Sequence, residues 1–85
     1  MDLTKIDIII LKDLQKKQKN NFLDNLKIKD FLIIEQNILK ENSLYKRLAK
    51  LKKIELVLNG AKDGKYKTYY ITDKGLDLVN KIENK

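Results

Sequence analysis

One segment of this 85-residue chain has the pattern of a β-hairpin, and it lies between segments with helical spacing. Glu55 to Leu58 and Tyr66 to Ile71 are rich in the aliphatic, β-branched and aromatic residues that are typical of strands. Asn59 to Lys65 contains both Asn-Gly and Asp-Gly, the dipeptides that tight hairpin turns prefer. A hairpin late in an otherwise helical chain predicts an α+β fold that is mostly α.

The first helix is predicted from Thr4 to about Lys19. Thr4 is a good N-cap, Asp7 follows three residues later, and the run contains neither glycine nor proline. On a helical wheel one face collects Leu3, Ile6, Ile9, Ile10 and Leu14. We place Ile8 and Leu11 on the opposite face, where they are either scattered exposed aliphatics or part of a subunit interface.

The segment after the first helix is predicted to hold a connection and a second helix. Asn20 and Asn21 end the first helix, and an extended piece is expected at Leu26 to Ile28. Ile28 to about Asn37 then has helical spacing, with one side formed by Ile28, Phe31, Leu32 and either Ile34 or Glu35. The β-branched pair at 33 and 34 leaves a strand as the alternative.

Two further helices are predicted, one on each side of the hairpin. Leu39 to Asn42 is expected to be a turn, and Ser43 to cap a helix that runs to about Lys53. Its buried stripe is Leu44, Leu48 and Leu51, at positions i, i+4 and i+7. Thr72 caps the last helix, which runs to about Asn84. Its apolar arc consists of Leu76, Leu78, Val79 and Ile82. This arc is wider than the surface that a small core would cover.

Composition argues against an enzyme. The chain has no histidine and no cysteine, which removes the commonest general base, thiolate chemistry and most transition-metal sites. Gly60 to Lys65 superficially resembles a phosphate loop, but no Ser or Thr follows it and it opens no helix, so we interpret it as a turn. No cofactor or metal is predicted.

The chain length and the N-terminal segment suggest one small intracellular domain. A chain of 85 residues has room for a single core, so residues 1–85 are interpreted as one domain. The N-terminal apolar run is interrupted by Lys5, Asp7 and Lys12, which suits neither a signal peptide nor a membrane span. We therefore expect a cytoplasmic protein that does not bind a membrane.

Positive charge is concentrated on the third helix and the hairpin. The formal net charge is +7, and residues 44–70 contribute eight bases against two acids, a net of +6. Such a face favours a polyanionic partner, although a merely solvated helix face is the alternative. A helix of about three turns with a polar, cationic outer side suits the DNA major groove, and the basic hairpin could follow phosphates.

These considerations predict two groups of DNA-contacting residues. Candidates for base reading are Asn42, Ser43, Tyr45, Lys46 and Lys50. Candidates for phosphate binding are Arg47, Lys53, Lys62, Lys65 and Lys67.

Two motifs resemble the winged helix-turn-helix superfamily. Asn42 to Leu51 is similar to the recognition helix of MarR-like and PadR-like regulators, in which a small polar residue precedes a Leu/Val-Tyr-basic-basic-Leu pattern. Tyr70 to Leu76 is similar to the segment that leaves the wing of these proteins. The resemblance implies a two-stranded β-hairpin wing followed by a C-terminal helix. In these families glycine usually follows the recognition helix, whereas Glu55 occupies that position here.

The resemblance also implies a homodimer formed through the first and last helices, which carry surplus apolar surface. The residues predicted at this interface are Ile8, Leu11, Leu78 and Ile82. A two-fold dimer would present its recognition helices about 34 Å apart, one turn of double-stranded DNA.

Three functions remain open. The first, which we favour because it is the commonest role of this fold, is a small transcriptional regulator, most simply a repressor. The second is an adaptor resembling the TubR-type centromere-binding proteins of plasmid and phage partition systems, which pass DNA to a filament or other protein partner. The third is a module that binds RNA or protein, which the basic face and the lack of an aromatic platform disfavour. Fold alone does not choose among them.

Overall fold

The order of elements confirms a winged helix-turn-helix. The computed structural model describes residues 3–83. Its elements are α1 (Lys5–Lys16), β1 (Leu26–Lys27), a 3₁₀ turn (Ile28–Asp30), α2 (Leu32–Glu35), α3 (Glu41–Lys53), β2 (Val57–Asn59), β3 (Thr68–Ile71) and α4 (Asp73–Glu83). The predicted end of the last helix at Asn84 lies outside the described residues.

The sheet has one strand more than the predicted two-stranded wing. β2 and β3 form the expected antiparallel hairpin, with Val57 opposite Ile71. The extended piece expected near Leu26 is β1, and it pairs with the other edge of β3, with Leu26 opposite Tyr69. The sheet order is therefore β1-β3-β2. This pairing satisfies backbone groups of β3 that a hairpin alone would leave open.

The start of α1 is as predicted, whereas its buried face is rotated from the predicted one. The Thr4 hydroxyl accepts from the Asp7 N–H, and the Asp7 side chain accepts from the Thr4 N–H, which completes a capping box. Leu11, predicted to face away from the core, is completely buried, and Ile9, predicted inside, is 37% exposed. Leu11 lies only ~60° around the helix axis from the buried Leu14, which places it on the core side.

The predicted second helix is divided in two. Residues Ile28–Asp30 form a 3₁₀ turn, Phe31 is extended with ψ of 134°, and α2 begins at Leu32. The break follows from a tertiary bond: the buried Asp13 of α1 accepts from the Leu32 N–H at 2.8 Å and so caps α2 from outside. Leu32, predicted to face inward, is 40% exposed, and Ile33 is buried in its place. The strand alternative for this segment is thereby excluded.

The third helix starts earlier than predicted but buries the predicted stripe. α3 begins at Glu41, its N-cap is Lys40 without a side-chain hydrogen bond, and Ser43 lies inside its first turn. Ser43 is therefore not the N-cap. The leucine stripe is confirmed, since Leu44, Leu48 and Leu51 are all fully buried in the core cluster.

The turn after α3 explains how the chain manages without glycine at this position. Glu55 has φ of 65°, the left-handed region. The Glu55 N–H donates to Lys52 O at 2.9 Å, and the Leu56 N–H donates to Leu51 O at 2.9 Å. This pair of bonds is a Schellman motif, in which glycine is the usual residue. Glu55 therefore adopts a backbone conformation that usually favours glycine.

The first turn of α4 binds the end of α3. The Thr72 hydroxyl accepts from the Gly75 N–H at 3.1 Å, which confirms Thr72 as the cap, and it donates to Glu55 O at 2.6 Å. Lys74 Nζ donates to Ile54 O at 3.0 Å. Carbonyl groups left without partners where α3 ends are thus satisfied by α4.

We expect Glu55→Gly to stabilise the protein. Glycine relieves the strain of the left-handed conformation in the folded state, and this gain exceeds the stabilisation of the unfolded chain by the greater freedom of glycine. The free energy of unfolding should therefore rise by about 0.5–1 kcal/mol. Urea denaturation followed by circular dichroism measures the change. Glu55→Ala is the matched control: it keeps a Cβ in the left-handed region and should leave stability near that of the wild type. Equal stabilisation by both variants would contradict the strain explanation.

We expect Gly75→Ala to destabilise the protein. A Cβ on this residue would lie 2.5 Å from Leu56 O and 2.7 Å from Ile71 Cγ1, so α4 must move away from the sheet. The expected loss is about 1–3 kcal/mol, as for other overpacked sites, although alanine is the better helix former. The midpoint of thermal unfolding reports it. An unchanged midpoint would show that α4 shifts at no cost.

Candidate nucleic-acid interface

The outer side of α3 forms a continuous polar and cationic surface. Opposite the buried leucine stripe lie the exposed residues Asn42, Lys46, Ala49, Lys50 and Lys53. Ser43 is also exposed, and Tyr45 is 37% exposed on one flank. All five residues predicted to read bases are therefore at the surface, on or beside this outer side of the helix.

One flank of α3 contacts the N-terminus of α1. Arg47 Nη1 lies 3.7 Å from Asp7 Oδ2, and Lys50 Nζ lies 4.0 Å from the same oxygen. Arg47 Nη1 also donates to the Thr4 hydroxyl at 3.5 Å. A buried carboxylate of α1 thus lies close to two cations of α3. These are Arg47, which was predicted to bind phosphate, and Lys50, which was predicted to read bases.

The wing presents the predicted phosphate-binding lysines. Lys62, Lys65 and Lys67 are all exposed on the segment between β2 and β3. The tip is tightened by a bridge between Asp63 and Tyr66, and Gly64 adopts φ of 62° between them. Gly60 to Lys65 therefore belongs to a hairpin, as predicted, and opens no helix.

A cleft of about 120 Å³ separates α3 from one flank of the wing, and its basic wall was not predicted from the sequence. Its lining residues are Lys27, Ile28, Lys29, Glu41, Tyr45, Tyr66 and Lys67. Lys27 Nζ lies 3.1 Å from Asp63 Oδ2, and this hydrogen bond and charge raise the pKa of Lys27 above its ordinary value. Lys29 Nζ lies 5.2 Å from the centre of the Tyr66 ring.

Lys27 and Lys29 are therefore additional cations beside the predicted interface. Lys27 lies in the extended piece that was predicted, whereas Lys29 lies in the 3₁₀ turn that follows it. The pairing of β1 with β3 was not predicted, so the position of the two lysines could not be inferred. On the other flank of the wing, a second cleft of about 280 Å³ is lined by Lys52, Asn59, Gly60, Lys62, Lys67 and Thr68. Basic side chains thus border the wing on both flanks.

The base of the wing is held by partly buried hydrogen bonds. Thr68 is 1% exposed, and its hydroxyl donates to Ala61 O at 2.7 Å. Asn59 Nδ2 donates to Thr68 O at 3.2 Å. The neighbouring Tyr69 is 5% exposed, and burial raises the pKa of its phenol. The lysines of the wing therefore project from a fixed base.

The residues predicted at a dimer interface differ in accessibility. Ile8, Leu78 and Ile82 are half-buried, and Leu78 packs against the core. Leu11 is completely buried inside the protomer and is not available to a partner, which corrects its assignment. α1 and α4 are joined at the surface by a bond of 3.0 Å from Gln15 Nε2 to Asn80 Oδ1.

Residues 3–83 contain neither a candidate metal centre nor a candidate membrane span. No group of three or more acidic side chains in this range is arranged to hold a metal ion. None of the helices described has the length and apolar character needed to span a bilayer.

Solved structures match this arrangement over nearly the whole chain. TubR from Bacillus megaterium pBM400 superposes with a TM-score of 0.81 at 24% identity, covering 99% of this chain and 90% of that one. The chain has the fold of TubR. A solution structure described as the DNA-binding TubR fragment from Clostridium botulinum gives a TM-score of 0.73 at 26% identity, covering 96% of this chain and 99% of that one. No family model and no curated protein matches the chain.

The likeness to TubR confirms the winged-helix fold and the predicted resemblance to TubR-type proteins. It extends from α1 to α4, so it includes the helices outside the helix-turn-helix as well as the wing. The matched TubR chains are similar to this one in length, since at least 90% of each is covered.

Proposed function

We propose that this chain is a sequence-specific double-stranded DNA-binding protein that acts as a homodimer. Within that class, we propose a centromere-binding adaptor of a plasmid or phage partition system in preference to a transcriptional repressor. The protein has no catalytic role in this proposal and works in the cytoplasm.

The main support for DNA binding is the character of the outer side of α3. Apart from Ala49, its exposed residues are polar or basic, and lysines from β1 and the wing extend the same charge to either side. A cationic helix beside a basic wing offers phosphate contacts for affinity and a few uncharged donors and acceptors for reading bases. One of the two similar structures is described as DNA-binding, which supports the same assignment.

The likeness to TubR favours the adaptor over the repressor. The sequence alone placed the repressor first, because it is the commonest role of small winged helices. Both matched structures are TubR proteins, and the match covers α1 and α4 in addition to the helix-turn-helix. A resemblance confined to the DNA-binding elements would have supported either role equally.

Footprinting on the DNA upstream of the gene distinguishes the two roles. An adaptor that coats repeated sites should protect a long array with regular spacing, whereas a repressor should protect one palindrome that overlaps a promoter. A single short footprint would reject the adaptor and restore the repressor.

We expect Lys46→Ala and Lys65→Ala to weaken DNA binding in different ways. Lys46 lies on the outer side of α3, so its loss should reduce affinity for the selected site and relax sequence preference by about 1–3 kcal/mol. Lys65 is on the wing tip, so its loss should weaken all duplexes alike and reduce the salt slope by about 0.9. Fluorescence anisotropy with selected and random duplexes at several salt concentrations separates the two effects. Identical behaviour of the two variants would reject this division.

We expect Ile8→Glu combined with Ile82→Glu to give a folded monomer. Both side chains are half-buried, so glutamate at these positions should not open the core. Repulsion between the introduced negative charges across a two-fold interface would oppose association. Leu23→Glu is the matched control, because Leu23 is 80% exposed in a loop outside the helices. Sedimentation velocity should give a dimer for the wild type and for the control. A monomeric wild type, or a dimeric double variant, would contradict the proposed interface.

A further inference from the structure

We infer that Asp7 of α1 is a positioning residue for DNA recognition, acting through Arg47 of α3. Its buried carboxylate restrains the Arg47 guanidinium, so that this cation contributes to binding at selected sites more than at random DNA. The inference rests on the proposed DNA-binding function and deepens it, since it assigns part of the specificity to a residue outside α3 and the wing.

The carboxylate of Asp7 is more buried than a helix cap requires. Its side chain has no exposed surface, and among the described residues only its Oδ2 accepts a hydrogen bond, from the Thr4 N–H at 3.1 Å. Asp7 Oδ1 has no hydrogen-bond partner among residues 3–83. A neutral amide could serve the capping box equally well, because the box needs only an acceptor oxygen. Burial of the negative charge is therefore costly unless a cation lies nearby.

Arg47 supplies such a cation across the gap between α1 and α3. Its Nη1 lies 3.7 Å from Asp7 Oδ2 and 3.5 Å from the Thr4 hydroxyl, while 36% of its side chain remains exposed. A guanidinium has five N–H donors in a rigid plane. The contacts to α1 involve one nitrogen, so the remaining donors are available to a phosphate while Asp7 holds the group in place.

The restraint has opposite effects on the two kinds of DNA. A phosphate that approaches in an arbitrary register must compete with Asp7 for Arg47, which weakens random binding. A phosphate at the position set by the correct docking of α3 meets a guanidinium that is already oriented, so less side-chain entropy is lost. Lys50, 4.0 Å from the same oxygen, adds to the cationic side of this cluster.

Asp7→Asn tests the inference because it keeps the cap acceptor and removes the charge. We expect random-duplex affinity to rise about three- to tenfold near 0.1 M salt and the salt slope to steepen by about 0.9, as for one added phosphate contact. Affinity for the selected site should rise less, so the ratio of selected to random affinity should fall. Anisotropy titrations on both duplexes measure all three quantities.

Two controls isolate the role of Arg47. Asp24→Asn makes the same change of charge in an exposed loop and should leave the ratio unchanged. In an Arg47→Gln background, Asp7→Asn should no longer alter the random-duplex salt slope, because the group that it releases is absent. Persistence of the effect in that background would overturn the inference.

If the Asp7→Asn variant does not fold, Arg47→Lys provides a second test of the inference. A lysine retains the charge beside Asp7 but not the planar fork, so random affinity should stay within about twofold while selected-site affinity falls about tenfold. Equal changes on both duplexes, or none, would overturn the inference while leaving DNA binding intact. Absence of salt-dependent duplex binding by the wild type would instead reject the proposed function.

Discussion

The junction between the end of α3 and the start of α4 determines where the candidate interface lies. Thr72 and Lys74 donate to carbonyl groups at the end of α3, and the left-handed Glu55 turns the chain back into the core at Leu56. β2 begins directly afterwards, at Val57. The direction of α3 and the position of the wing are therefore set together, and both depend on α4.

Two buried carboxylates of α1 hold the rest of the helix-turn-helix. Asp13 caps α2 by accepting from the Leu32 N–H, and its Oδ1 lies 3.1 Å from Lys17 Nζ. Asp7 faces the cationic flank of α3. Burial of ionised groups is costly unless they are bonded, so these acids favour a single arrangement of α2 and α3 on α1. α1 thus positions α2 and α3 through polar contacts as well as through its apolar face.

The same carboxylates limited what could be predicted from sequence. The leucine stripe of α3, the hairpin and the cap at Thr72 follow from local spacing and turn chemistry, and all were confirmed. On the wheel of α1, Asp7 projects between Leu11 and Leu14, so a face judged by hydrophobicity alone is interrupted there. Leu11 was accordingly assigned to the wrong side. The division of the second helix likewise depends on Asp13, a tertiary contact that local patterns do not contain.

The distribution of polar groups bears on how the proposed DNA binding achieves selectivity. Cations come from β1, α3 and the wing, while α3 offers few uncharged groups for base edges, chiefly Asn42 and Ser43. Phosphate contacts give affinity with little discrimination, and each good base contact contributes only about 1–3 kcal/mol. One protomer would therefore select its site weakly. Several copies bound side by side on repeats would multiply a small preference, because neighbouring sites act together. Under the proposed function, this balance would favour the coating of a repeat array over the holding of one operator.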